Sequence, residues 1–172
     1  ADADFDGKPD SQQVTPKVTI SGISNIDGIT VTLVSAFNNE YVGTVECSEK
    51  NADNKYEFTV EFDASDLPDC DYSIKVEKEV FSMYTLKGIH KDNLSKVVMS
   101  GDYEAVMYAG DVNLDGYINT ADKVKVTNNQ NMKEAKPTDG DLNGDGFVNI
   151  ADKVIIDNNL NKLPVSKTWK NI

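Results

Sequence analysis

Two near-copies of one segment dictate how the last third of this chain can fold. GDVNLDGYINTADKVKVTNNQN begins at Gly110 and GDLNGDGFVNIADKVIIDNNLN at Gly140, and the two agree at 13 of 22 positions. Self-similarity that dense, at a period of 30 residues, marks one small structural unit used twice. Each copy contains the pattern DxNxDGxxNxxD. The side chains it fixes are Asp111, Asn113, Asp115, Asn119 and Asp122, then Asp141, Asn143, Asp145, Asn149 and Asp152.

A solvated turn uses one or two Asp or Asn residues, not a full set at constant spacing in two registers. Hard cations explain the set better. Ca²⁺ takes six to eight oxygens, and a twelve-residue loop delivers them from positions 1, 3, 5, 7, 9 and 12. Positions 1, 3 and 5 carry oxygen-bearing side chains here, and Gly116 and Gly146 at position 6 permit the sharp turn. Tyr117 and Phe147 at position 7 can offer only a backbone carbonyl. Asn119 and Asn149 stand at position 9, while Asp122 and Asp152 fill position 12, the place of the bidentate carboxylate. The expectation is two Ca²⁺ ions, one per loop.

In the usual EF-hand position 12 is Glu and a helix enters the loop. Here it is Asp, and no amphipathic helix precedes either loop: the residues before Asp111 read as strand, and those before Asp141 are KPTDG. With these features the C-terminal region resembles a dockerin. The resemblance implies two calcium-binding loop-helix (F-hand) repeats in an all-α unit, and a cohesin domain as partner. Short helices are expected from Thr120 to about Asn131 and from Ile150 to about Lys162. Val126, Ile156 and Leu160 would form the core between them. Ala121 with Val124, and Ala151 with Val154, fall on another face, which a unit this small cannot also bury. Carried over by position, the cohesin contacts are Thr120, Ala121, Val124, Thr127 and Asn128, then Ile150, Ala151, Val154, Asp157 and Asn158.

Ahead of the repeat the apolar period is two: Val18 and Ile20; Ile29, Val31 and Leu33; Tyr41 and Val45; Tyr56, Phe58, Val60 and Phe62; Tyr72, Ile74 and Val76; Val97 to Met99. Short alternating runs broken by Gly, Asn and Asp predict about seven antiparallel strands in a β-sandwich. The stretch DLPDCDYSIKVEKEVFSMYTLKGI, followed by MSGDYEAVMYAGDVN, resembles the end of an immunoglobulin-like X module of the transthyretin or carboxypeptidase-regulatory type. Cys70 stands where that family's LPxGxY turn has Gly. The expected organisation is therefore two domains: residues 1–16 a linker or lead-in strand, 17–107 the X module, 108–172 the dockerin. The YEAVMYAGD junction leaves almost no flexible linker between them.

Such pairs attach proteins to extracellular complexes that degrade plant polysaccharide, cellulosomes, and the resemblance implies a secreted or cell-surface location. Charge agrees with a protein partner. Seventeen basic and 29 acidic residues give −12, which two Ca²⁺ (+4) would bring to −8, so nucleic acid and anionic membrane are poor partners. No run of about 18 apolar residues suggests membrane insertion. The start, ADADFDGKPD, lacks the regions of a signal peptide, so a longer secreted parent is expected. Cys47 and Cys70 are compatible with one disulfide or with two thiols. His90, the single histidine, reads as a loop or strand-end residue, and with the best carboxylate clusters assigned to calcium no enzyme is expected. Two rival readings remain: the sandwich carries a carbohydrate site built on Phe37, Tyr41, Phe81 or Tyr84, or the calcium loops belong to a structural module of another secreted protein. Trp169 is expected to pack near Tyr103 or Tyr108 instead of on sugar.

Overall fold

The computed structural model describes residues 13–65 and 67–170. Period-two runs become strands wherever one face can be covered. Strands β1 (Gln13–Val14), β2 (Lys17–Ser21), β5 (Thr44–Lys50), β6 (Tyr56–Asp63), β9 (Val98–Met99) and β10 (Ala105–Val106) form one sheet, with β6 and β2 at its centre. The second sheet orders β11 (Val165–Thr168), β8 (Tyr84–His90), β7 (Asp71–Glu77), β3 (Thr30–Ser35) and β4 (Glu40–Val42). Val18 and Ile20, Phe58, Val60 and Phe62, Val31 and Leu33, and Tyr72, Ile74 and Val76 point inward from both sheets into one core.

Two tyrosines tie turns to this core. The Tyr72 hydroxyl donates back to the Pro68 carbonyl at 2.7 Å, the contact that closes the LPDCDY turn even with Cys70 in place of Gly. Burial pushes its phenol well above the usual tyrosine range. Tyr84, fully buried, donates to the Tyr103 carbonyl at 2.8 Å, and burial raises its phenol to about 12. Cys70 is a free, half-buried thiol, and the side chain of Cys47 lies outside the described residues.

The expected two-domain arrangement with an all-α C-terminal unit is overturned. Most regular structure lies in the two β-sheets. The only α-helices among the described residues are α1 (Thr120–Asn128) and α2 (Ile150–Asn159), both shorter than expected. The region after Gly110 is also neither all-α nor separate. Past α2 the chain returns to the sandwich as β11, pairing in parallel with β8 from Val165 opposite Tyr84 to Thr168 opposite Lys87. Trp169 then donates its backbone N–H to the Lys87 carbonyl at 2.7 Å and lays its ring on Tyr103, centroids 4.8 Å apart. In the other direction the turn between β7 and β8 sends Val80 into a second, smaller core with Ala109, Val112, Ile118, Val126, Leu142, Val148 and Ile156. Phe81 packs against both cores. Crossing at both ends makes one continuous structure. The antiparallel expectation also needs amending, because β9 and β10 run parallel to β2.

Candidate calcium loops and helix face

Both repeats fold around their first and last aspartates. In the first, Asp111 accepts the Asp115 N–H (3.0 Å) on Oδ1 and the Gly116 N–H (2.9 Å) on Oδ2. In the second, Asp141 accepts the equivalent N–H groups of Asp145 (3.1 Å) and Gly146 (2.8 Å). Asp122 accepts from Asn113 N (3.2 Å) and Asn119 N (2.9 Å), and Asp152 from Leu142 N (2.8 Å) and Asn149 N (2.9 Å). These reciprocal loop contacts put Asp122 and Asp152 at 0% exposure.

Position 9 has a structural duty that a reading of Asn119 and Asn149 as ligands alone missed. Each side chain caps its helix, accepting from Ala121 N and Ala151 N at 2.8 Å, while Asp122 or Asp152 reaches back to the cap's own N–H. That is a capping box, and the N-x-x-D spacing was its signal. The position-12 carboxylate therefore closes the loop and starts the helix at once. Asn113 and Asn143 at position 3 bond through their amides to Asp115 and Asp145 at position 5 (3.0 and 3.1 Å). Tyr117 and Phe147 expose their rings, leaving only main chain for the loop interior.

The donor chemistry fits a hard divalent cation. One carboxylate oxygen from each of Asp111, Asp115 and Asp122 lies within 4.8 Å of the others. Among the described residues no Lys or Arg pairs with any of the six loop aspartates, although Asp122 and Asp152 are fully buried. Buried charge without a partner is costly, and an oxygen-only set of this size suits Ca²⁺.

The loops hold the helices by their position-8 residues, which the sequence reading left out. Ile118 and Val148 are buried in the second core, and their main chains are braced across the repeat: Asn161 N donates to Ile118 O and Asn131 N to Val148 O, both at 2.8 Å. Each helix buries one large apolar residue fully, Val126 or Ile156, and α2 adds the partly buried Ile155. Leu160, expected in that core, ends α2 half-exposed. It lines a groove of about 400 Å³ with Thr120, Val124, Thr127 and Asn128.

All ten positions expected to contact a partner, Thr120, Ala121, Val124, Thr127, Asn128, Ile150, Ala151, Val154, Asp157 and Asn158, are exposed. Val124 (50%), Ile150 (63%) and Val154 (51%) leave half or more of their surface in water. Between the helices Lys123 Nζ meets Asp157 Oδ1 at 2.6 Å, so Asp157 is not an unpaired charge on this face. The repeat-related pair would be Lys153 and Thr127, which cannot form an ion pair, so the face lacks the internal two-fold of the sequence.

The rival aromatic set does not form a platform. Tyr84 is fully buried, Phe81 lies between the cores, and Tyr41 meets Tyr72 edge-on at 6.4 Å, leaving Phe37 exposed. His90 sits at the end of β8, between Asp69 (3.5 Å) and Asp92 (3.6 Å) on the surface. Among the described residues, no helix is long and apolar enough to cross a membrane.

No protein-family model and no curated protein matches this sequence. Among solved structures, the chain is similar to one chain of a type II cohesin–X-dockerin complex from Acetivibrio cellulolyticus, a C-terminal interface mutant. The two are 15% identical with a TM-score of 0.53, over 88% of this chain and 97% of that one. At that identity the likeness is one of fold.

Proposed function

We propose that this chain is a binding protein and not an enzyme, and that it docks on a cohesin-type domain through the exposed face of α1 and α2 when calcium fills the two loops. The observation that carries this reading is the exposure of Val124, Ile150 and Val154 on helices whose opposite side is held in a core by Val126 and Ile156. Three large aliphatic side chains exposed on the two helices, interspersed with Thr and Asn and with the Lys123–Asp157 pair between the helices, offer a partner apolar contacts set among polar ones. A cohesin-type occupant is favoured by the loop pattern and by the fold-level similarity to a chain of a cohesin–X-dockerin complex.

Calcium enters as a structural ion. The aspartates at positions 1, 5 and 12, the Asn at position 3 and the position 7 carbonyl would hold it, and it would supply the positive charge the buried carboxylates lack. The first residues of both helices are loop residues, so ordering the loops orders the face. The sandwich stabilises this region through Val80 and β11, and the protein works outside the cell in a polysaccharide-degrading assembly. The test is capture of a panel of purified cohesin domains by the full chain, with calcium or with EDTA. Capture of at least one cohesin in calcium and none in EDTA is expected. Retention on insoluble polysaccharide with no cohesin bound would move the function to the sandwich.

A further inference from the structure

The two loops are alike in sequence but are framed by different parts of the molecule. The entrance to the first is held from the sandwich: Gly110 N and Asp111 N both donate to the Val80 carbonyl, at 2.9 and 3.0 Å. The corresponding groups of the second stay within their own connection, Gly140 N on Pro137 O at 3.0 Å and Asp141 N on Lys136 O at 3.4 Å. The second loop meets the sandwich at its tip, where Ser24 Oγ donates to Asn143 O at 2.9 Å in an exposed position and Gly144 passes close to Asn25.

Val80 is held in a conformation its side chain disfavours. Its φ is +63°, a left-handed value that is an outlier for a β-branched residue. Surroundings must over-determine it, and they do. The residue is 2% exposed in the core that holds positions 2 and 8 of both loops, Val112 and Ile118 with Leu142 and Val148, so what singles out the first loop is the Val80 carbonyl, which takes the Gly110 and Asp111 N–H groups. Next to it, Ser82 N donates to Tyr108 O (2.8 Å), Tyr108 N donates to Ser82 Oγ (2.9 Å), and Phe81 bridges to Ala109. At the junction itself only Gly fits, since a Cβ on Gly110 would stand 2.7 Å from Ile118 Cγ2. The position 1 backbone thus takes its place from a turn of the sandwich.

We infer that Val80 is a positioning residue for the first calcium loop and that it makes the two sites unequal: the first binds calcium with an affinity set by the β7–β8 turn, the second independently of it. Groups that orient a ligand without touching the ion control affinity in this way. The inference rests on the calcium reading above and adds to it the dependence of one site on the sandwich.

The Gly116 and Gly146 amides report the loops separately, because each donates to its own position 1 carboxylate. A calcium-buffered titration of the full ¹⁵N-labelled chain, followed at these two amides, is compared with Val80→Gly. Glycine accepts φ of +63° and keeps the carbonyl, while withdrawing the side chain that fixes its position. The Gly116 midpoint is expected to rise fivefold or more while the Gly146 midpoint moves less than twofold. Ser82→Ala, which loosens the same turn from outside the core, is expected to act in the same direction and serves if the first variant does not fold. Equal movement of both midpoints would mean general loosening of the shared core, and no movement would mean no role for the turn; either overturns the inference. A wild-type chain in which neither amide responds to calcium removes the calcium reading itself.

Discussion

Stripping calcium from the protein should cost it a large part of its stability, and the size can be worked out. Asp111 and Asp122 are both buried, with carboxylate oxygens within 4.8 Å of each other. At an effective dielectric of about 20 two such charges repel by about 3.5 kcal/mol, before Asp115 is counted. A cation that binds only the folded loop reverses this. At a hundredfold excess over Kd it adds about 2.7 kcal/mol per site, roughly 5 kcal/mol for two. A chain of this length shifts its melting point by about 2–4 °C per kcal/mol, so calcium should raise Tm by roughly 10–20 °C over EDTA. Because β11 belongs to the sandwich's sheet and Trp169 rests on Tyr103, Trp169 fluorescence should report the same shift as far-ultraviolet circular dichroism. Melting points in calcium and EDTA that agree within about 2 °C by both probes would refute the reasoning.

The other predictions concern the sandwich and the helix pair. Tyr84 has its phenol raised from 10.0 to about 12 in the folded state, so between those values the unfolded chain has lost more protons than the folded one. Its contribution is complete below pH 10 and is lost as pH rises toward 12. Tm should therefore decline across that interval, and Tyr84→Phe should flatten the decline; an identical profile in the variant would contradict the assignment. Trp169→Ala removes a half-buried ring from Tyr103 and should cost about 1–2 kcal/mol, read as a lower urea midpoint in the full chain. Lys123→Ala breaks a partly exposed pair and should change stability by less than about 1 kcal/mol, measured in the same way.

What was legible in the sequence followed from residues whose chemistry is local. Alternation placed β2, β3, β6 and β7 and their inward side chains, and the doubled loop placed twelve candidate ligand positions, with buried carboxylates where the pattern put Asp122 and Asp152. Strand β8 was harder to see. Its alternation runs through Tyr84 and Leu86 and then skips to Ile89, because the register shifts beside Gly88, whose φ is +76°. Strand β11 carries Val165 and then Ser, Lys and Thr, too little apolar character to announce a strand. It exists because β8 offers an edge, a tertiary cause. Nothing in the local sequence marks out Val80, and only the fold shows it entering the second core. Those two crossings are why a boundary drawn where the sequence period changes, near Gly110, did not yield an independent helical unit.

The most direct test of the central claim is a calorimetric titration of a captured cohesin domain with the full chain in calcium, comparing wild type with the Val124→Asp, Val154→Asp double variant. Both side chains are half exposed, so the substitutions should leave Tm and calcium uptake unchanged. Placing two carboxylates in a desolvated interface costs several kcal/mol, and the account predicts affinity reduced by about a hundredfold or more. Undiminished cohesin binding by a folded, calcium-loaded double variant would contradict it.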